Sequence, residues 1–370
     1  MKIDIITLQA VQNYGSVLQA LATQEIFKQH GCDVTIINYV RENVRQENLL
    51  KTWSKGNPIK FLVMLPTVHR WKTVFLKYCN EHLNLTNEIY TTEEDFKMYP
   101  LNADAYCTGS DQVWNSKWNQ GIILPLYLSF IPKNEFKFSY SASFGQSQLS
   151  TKEVALTKKY IDQYNYISVR EDTAKDIMEN QYNYHNVFHI IDPTLAMPPE
   201  FWRNYSSNRK IKNDYILIYN LNKSSEFDNY AKQISKKTGL KLVRLCTRYD
   251  QFYRCGKSIL VPEISDFISL IDNAKYVLTD SFHATAFSMN LNTEPICVYP
   301  KNFSSRIESF LSLTNSLQRH ISDYNDFNVI DRKINFNEVN QILSKERIKV
   351  DKFIDNILVA IKQYREEKNE

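Results

Sequence analysis

Short apolar runs of strand length alternate with helix-length amphipathic stretches along nearly the whole chain, and this alternation leaves few architectures open. Ile3 to Leu8 reads as a strand and Gln9 to Tyr14 as a polar loop. From Ser16 the apolar residues recur at helical spacing as far as His30 and Gly31, and Val34 to Tyr39 is a second strand. Strands joined by helices of this length imply a parallel sheet covered on both faces. Further strands are expected at Ala103–Thr108, Lys137–Ser143, Tyr166–Arg170 and Val187–Ile191, while residues 41 to 100 are less regular.

After Met197-Pro198-Pro199 the pattern restarts, with strands at Tyr215–Tyr219, Leu242–Cys246, Tyr276–Thr279 and Pro295–Tyr299. A chain of 370 residues suits two domains at about 150 residues each. The expected layout is therefore α/β, with two Rossmann-like doubly wound domains facing a central cleft. Residues 1–197 form the first and 198–345 the second. A helix within 346–370, from about Val350 to Lys368, packs back on the body. Ligands of open parallel sheets bind beyond the carboxyl ends of the strands, so residues there carry most of the functional information.

Composition narrows the function classes. Lys and Arg number 45 against 41 Asp and Glu, a surplus of +4 spread along the chain rather than gathered into the basic stripe that nucleic acid requires. No nucleic-acid partner is expected. The start, Met1 to Thr7, lacks the order of a secretory signal, and no window reaches the roughly 18 apolar residues of a spanning helix. The six cysteines are scattered without a CxxC pair, and no carboxylate or histidine cluster has metal-ligand spacing. A cytoplasmic protein with reduced cysteines, needing neither metal nor cofactor, is the expectation.

Among the strand ends, Thr279-Asp280-Ser281-Phe282-His283 is the sharpest motif. Either Asp280 or Ser281 can cap the following helix, leaving His283 in its first turn beside free backbone N–H groups. Such an end attracts phosphate or carboxylate, and a histidine there can donate to the anion or give up a proton. A capped helix followed by a half-buried structural histidine is the competing reading. Arg170 follows a buried strand and has the fork that suits a carboxylate or phosphate, although a surface ion pair with Glu171 or Asp172 would explain it equally. Arg306 follows the next strand after the His283 helix and either converges on the same anion or faces solvent. Gly109-Ser110-Asp111-Gln112-Val113-Trp114-Asn115 combines hydroxyl, carboxylate, amide and indole, a mixture that suits a sugar but is also ordinary turn chemistry. Gln12-Asn13-Tyr14-Gly15-Ser16 reads as a binding loop or simply as a helix N-cap.

Six motifs occur in one order: Asn13 to Ala20, Gly109 to Asn115, Ser141-Ala142-Ser143-Phe144-Gly145, Ser168-Val169-Arg170-Glu171, Ile191-Asp192-Pro193-Thr194 and Thr279 to His283. Over about residues 3 to 315 the chain resembles the polysaccharide pyruvyl transferase family. The resemblance implies a GT-B-like layout, phosphoenolpyruvate as donor and a sugar as acceptor, in a bacterial exopolysaccharide or capsular polysaccharide or its lipid-linked precursor. It implies a pyruvate ketal as product. It sets the donor-site histidine at His283 and the donor-site arginine at Arg170. The next basic residue falls on Arg306, whose Ile307 and Phe310 keep the family's spacing, with Lys301 as the competing position. Ala284 stands where many relatives have glycine.

On this reading His283 gives a proton to the donor or a hydrogen bond to its phosphate, and Arg170, Arg306 or Lys301, with Ser281, hold the donor. Asp111 acts as base toward the acceptor, and Asn13, Tyr14, Ser110, Gln112 and Trp114 contact the sugar. The alternative is a GT-B-type glycosyltransferase using a nucleotide sugar. The two glutamates that many retaining enzymes of that kind carry are absent from Ser281 to Leu291. Finally, Pro58 to Tyr78 combines an apolar core with Lys60, Arg70, Lys72, Lys77, Phe61 and Trp71. It is either a helix covering the first sheet or a segment lying in the interface of an anionic membrane, interrupted at Pro66, which would bring the enzyme to the inner face of the cell membrane.

Overall fold

A computed structural model describes residues 1–300 and 305–369. The first half contains β1 (Lys2–Ile6), β2 (Asp33–Ile36), β3 (Ala105–Thr108), β4 (Lys137–Ser139), β5 (Ile167–Val169) and β6 (Val187–His189). The second contains β7 (Tyr215–Tyr219), β8 (Lys241–Cys246), β9 (Lys257–Leu260), β10 (Tyr276–Thr279), β11 (Glu294–Val298) and β12 (His320–Ile321). Every pairing between them is parallel. The second sheet runs β12-β11-β10-β7-β8-β9, the doubly wound Rossmann order.

The first sheet follows the same plan with its outer strand reduced. Its order is β2-β1-β3-β4. Strands β5 and β6 join it where Ser139 N donates to Tyr166 O and Ala142 N to Ser168 O. Where a third strand would flank β2, only isolated bridges remain, Ile36 with Leu85 and Tyr39 with Tyr90. The intervening chain forms helices instead, including α2 (Leu49–Ser54) and α3 (Pro58–Trp71), which follow the first helix, α1 (Tyr14–Gln29). Central strands such as β1, β3, β7 and β10 are buried almost throughout, as strands covered on both faces must be. Among the described residues no helix is long and apolar enough to cross a membrane.

Three expectations change in detail. Strand β4 ends at Ser139 rather than Ser143, where the chain turns at Ser141 with φ +55°, and β5 spans Ile167–Val169 rather than Tyr166–Arg170. Strand β9 is an addition without a buried apolar run to mark it, because its Lys-Ser-Ile-Leu segment is a half-exposed edge. The C-terminal helix starts at Phe336, not Val350, and it spans both halves. Arg347 donates to Leu195 O and Asn290 Oδ1, and farther along Arg365 pairs with Asp104 and Lys368 with Glu135.

Candidate active site

In each sheet the strand order reverses beside the first strand, between β1 and β3 and between β7 and β10. The loops leaving these strands face one another across a cavity of about 840 Å³. Asn13, Ser16, Asp111, Gln112 and Trp118 line it from the first half, and Asn222, Ser224, Ser281, His283, Tyr299 and Arg306 are among its walls from the second. Asn13 caps α1, its Oδ1 accepting from Gly15 N at 2.9 Å and Ser16 N at 3.4 Å. Ser281, rather than Asp280, caps the Phe282–Asn290 helix, accepting from Ala284 N. Asp280 instead accepts from the backbone N–H groups of Leu221 and Asn222, which fixes the loop leaving β7.

The buried centre is a charge network around Arg170, whose side chain is only 1% exposed. Its guanidinium donates to Asp192 Oδ2 at 2.5 Å and to Asp111 Oδ1 at 3.2 Å, and lies 3.6 Å from Glu171 Oε2. Each carboxylate is held in turn by another motif. Ser16 Oγ donates to Asp111 Oδ2 at 2.5 Å, and Ser110 Oγ and the Thr194 N–H and hydroxyl donate to Asp192. Ser143 Oγ and Gly145 N donate to Glu171 Oε1. Asp111 adopts φ +74°, a left-handed conformation that aspartate tolerates better than most residues and that turns its carboxylate back toward Ser16. Burial alone would raise the Asp111 carboxyl, but Arg170, His283, the Ser16 hydroxyl and Arg306 together hold it down at about 2.

His283 closes the network from the other half. Its Nε2 lies 3.8 Å from Asp192 Oδ2, too far for a hydrogen bond, and has no hydrogen-bond partner among the described residues. Burial lowers its pKa; Asp192 and Asp111 oppose that, and Arg170 and Arg306 reinforce it. The Arg306 Nε also lacks a partner among the described residues. Burial, with the like charge of Arg170, lowers its pKa to about 10. The Phe282 ring lies against both guanidiniums, 4.7 Å from Arg170 and 5.7 Å from Arg306. Among the described residues one wall thus presents an imidazole Nε2 and a guanidinium Nε without hydrogen-bond partners beside a helix N-terminus, the ingredients of an anion site.

A family model for polysaccharide pyruvyl transferase matches residues 13–302. The chain belongs to that family. It is accordingly a transferase. A comparison with curated proteins gave no match. Among solved structures, a Listeria monocytogenes protein provisionally assigned as a UDP-N-acetylglucosamine 2-epimerase superposes with a TM-score of 0.58 at 11% identity, covering 99% of this chain and 97% of that one. The UDP-N-acetylglucosamine 2-epimerase of Rickettsia bellii gives 0.54 at 11% identity over 96% and 97%. That of Neisseria meningitidis, bound to UDP-GlcNAc, gives 0.51 at 11% over 97% and 100%. At these identities the likeness is one of fold, the GT-B-like pair of Rossmann domains.

Several expected contacts of this pyruvyl transferase are revised by burial. Arg170 is not among the residues lining the cavity; its guanidinium faces three carboxylates behind the wall. Trp114 is core, its indole donating to Leu126 O and packed against Tyr127 and Phe144. Trp118, four residues on, is the indole that reaches the cavity. Tyr14 is buried where the halves meet, stacked on Phe267 at 4.9 Å and donating to Pro262 O at 2.7 Å. Ser110 serves Asp192 and is fully buried. Asn13, Asp111, Gln112, Ser281, His283 and Arg306 are brought together as expected. Lys301 lies outside the described residues.

Gly15 explains why the first and last motifs occur together. A Cβ built on it would stand 2.6 Å from the His283 Cβ and closer still to Cγ and Nδ1. Alanine in a helix normally stabilises by about 1 kcal/mol relative to glycine. Here the sign should invert. Gly15→Ala is expected to lower the unfolding temperature and to reduce turnover at least about a hundredfold by displacing the imidazole. In a His283→Gly background the same change should be neutral or stabilising to unfolding. An unchanged unfolding temperature and turnover in the single variant would mean that the ring does not rest on this backbone.

Proposed function

We propose that the enzyme transfers pyruvate from phosphoenolpyruvate to two hydroxyls of one sugar, forming a pyruvate ketal and releasing phosphate. The observation that carries this reading is the pair of unsatisfied groups, His283 Nε2 and Arg306 Nε, beside the N-terminus of the Phe282–Asn290 helix. A small, highly charged donor would satisfy them all. The second half, residues 198–345, is then the donor side. Arg306 and Ser281 hold carboxylate or phosphate, with Lys301 a further candidate. The first half, residues 1–197, receives the sugar at Asn13, Gln112 and Trp118.

The reaction balances in two additions. His283, protonated beside the bound dianion, delivers its proton to the methylene carbon. Positive charge develops at the central carbon, the first sugar hydroxyl bonds there, and its proton is lost. Phosphate then leaves with its bonding electrons, and the second hydroxyl takes its place and gives up its proton. A carboxylate held at about 2 stays ionised and is a weak base. Asp111 is therefore read as orienting Ser16 and as fixed negative charge facing the developing cation, rather than as the base. The acceptor is taken to be a sugar unit of a bacterial polysaccharide or its lipid-linked precursor, modified in the cytoplasm.

The test is incubation with phosphoenolpyruvate and a panel of glycans, following phosphate release and ketal formation. Phosphate should appear only with a matching acceptor, and Arg306→Ala should weaken donor binding about tenfold or more, the worth of a charge-assisted contact. Turnover of a nucleotide sugar without phosphoenolpyruvate would overturn the proposal in favour of glycosyl transfer.

A further inference from the structure

The helical hairpin α2–α3 has a surface that neither the core nor the cavity uses. In α3 the inward stripe is Met64, Thr67, Val68 and Trp71, at helical spacing. Its second half is fastened to the opposite half of the molecule. Trp71 Nε1 donates to Thr247 O at 2.9 Å, and Tyr249 N donates to Thr67 Oγ1 at 3.0 Å. Arg70 donates to Val261 O and pairs with Glu263 at 2.7 Å. Arg70 is thus recruited inward, and Trp71 is buried.

The first two turns of α3 behave differently. Ile59, Phe61, Leu62, Val63 and Leu65 are all exposed, Ile59 by 72% and Leu62 by 66%. A water-facing helix surface is ordinarily polar, and an apolar one marks a contact. Pro66 does not end the helix, and Leu62, whose carbonyl loses its usual helical N–H donor to the proline, is itself exposed. The preceding α2 adds Trp53, 40% exposed.

The charge around this apolar face selects its partner. No Asp or Glu occurs between Glu47 and Glu81, a stretch that holds Lys51, Lys55, Lys60, Arg70, Lys72 and Lys77. Since the entire chain carries only +4, the remainder is slightly acidic and the positive charge is concentrated here. The five lysines are exposed. Exposed apolar side chains on a segment rich in lysines, of which Lys77 pairs with Glu81 at 3.8 Å, match a bilayer surface rich in anionic headgroups, where the chains enter the acyl boundary and the ammonium groups stay at the phosphates. We propose that the first two turns of α3, with α2, dock this protein on the surface of an anionic membrane. The proposal is independent of the reaction assigned above.

The full chain would be sedimented with vesicles of phosphatidylglycerol and phosphatidylcholine, and with phosphatidylcholine alone. Binding is expected to the anionic vesicles only and to weaken with salt. Lys51→Glu/Lys55→Glu/Lys60→Glu should reduce it by at least about a hundredfold, the effect of losing three lysines at about 1 kcal/mol each. Phe61→Ser/Leu62→Ser keeps every charge and should still reduce it at least about tenfold. Both variants should unfold at the parental temperature, because these side chains lie outside the core. The proposal fails if the parent stays in the supernatant at low salt, or if Phe61→Ser/Leu62→Ser binds as well as the parent. It also fails if the parent is a dimer that this variant converts to monomer without any vesicle binding, which would assign the face to a second copy of the chain.

Discussion

Replacing His283 by glutamine is expected to lower turnover by about two to four orders of magnitude while leaving the protein folded. The amide keeps a hydrogen-bond donor near the Nε2 position, so donor binding should suffer less than the chemical step. The pH dependence gives a second signature. Burial lowers the His283 pKa in the empty site, so the neutral imidazole predominates at neutral pH. A bound dianion favours the charged form, so donor binding should take up a proton. Apparent donor affinity should therefore rise as pH falls toward neutrality, above the phosphate's own second ionisation at about 6. In His283→Gln this slope should flatten. Near-normal turnover in the variant, with the pH slope retained, would reduce His283 to a packing residue.

The second large effect is on stability. Asp192→Ala removes the shortest partner of a guanidinium that is almost fully enclosed, and breaking a buried ion pair from one side costs about 3–5 kcal/mol. A fall of several degrees or more in the unfolding temperature is expected, with Asp192→Asn intermediate because its remaining oxygen can still accept from Thr194. The acid limb of stability follows from the same network. The Asp111 carboxyl is held at about 2 and that of Asp192 is lowered too, despite burial, chiefly by Arg170. Groups depressed on folding contribute stability that is complete above their unfolded pKa, about 4, and is lost as pH falls toward about 2. The parent should lose stability steeply in that window, and Asp192→Ala less so. Unfolding of Asp192→Ala within about 1 kcal/mol of the parent would mean that Arg170 finds its compensation elsewhere.

Much of the architecture was legible in the sequence because parallel strands buried on both faces are written as short apolar runs with helices between them. The sheet edges were not. The strand β9 has lysine and serine in its first two positions, and β12 is only two residues long. The site divides in the same way. Residues at strand ends, such as His283 and Asp111, could be picked out from position alone. Whether a side chain faces the cavity or the core depends on contacts from remote segments, so the local sequence does not separate the buried Trp114 and Tyr14 from Trp118, which lines the cavity. The role of Asp192 is not legible locally, because its neighbours Arg170, Ser110 and His283 come from three other stretches of chain. A local sequence can display a carboxylate followed by Pro-Thr, but not what the carboxylate faces.

The interlocking of the Arg170 cluster also bears on how such sequences can diverge. Three carboxylates share one cation, and hydroxyl groups from further motifs hold each of them, so no member can be exchanged alone without stranding a charge in the interior. A lineage that lost the reaction but kept the fold would still be constrained to retain Arg170, Asp192 and Glu171. Their presence in a distant homologue is therefore a record of foldability. His283 Nε2 and Arg306 Nε have no hydrogen-bond partner among the described residues, so these two side chains are less constrained by the fold once the substrate is gone. Those two positions, rather than the carboxylate cluster around Arg170, are where an active descendant should be told from a retired one.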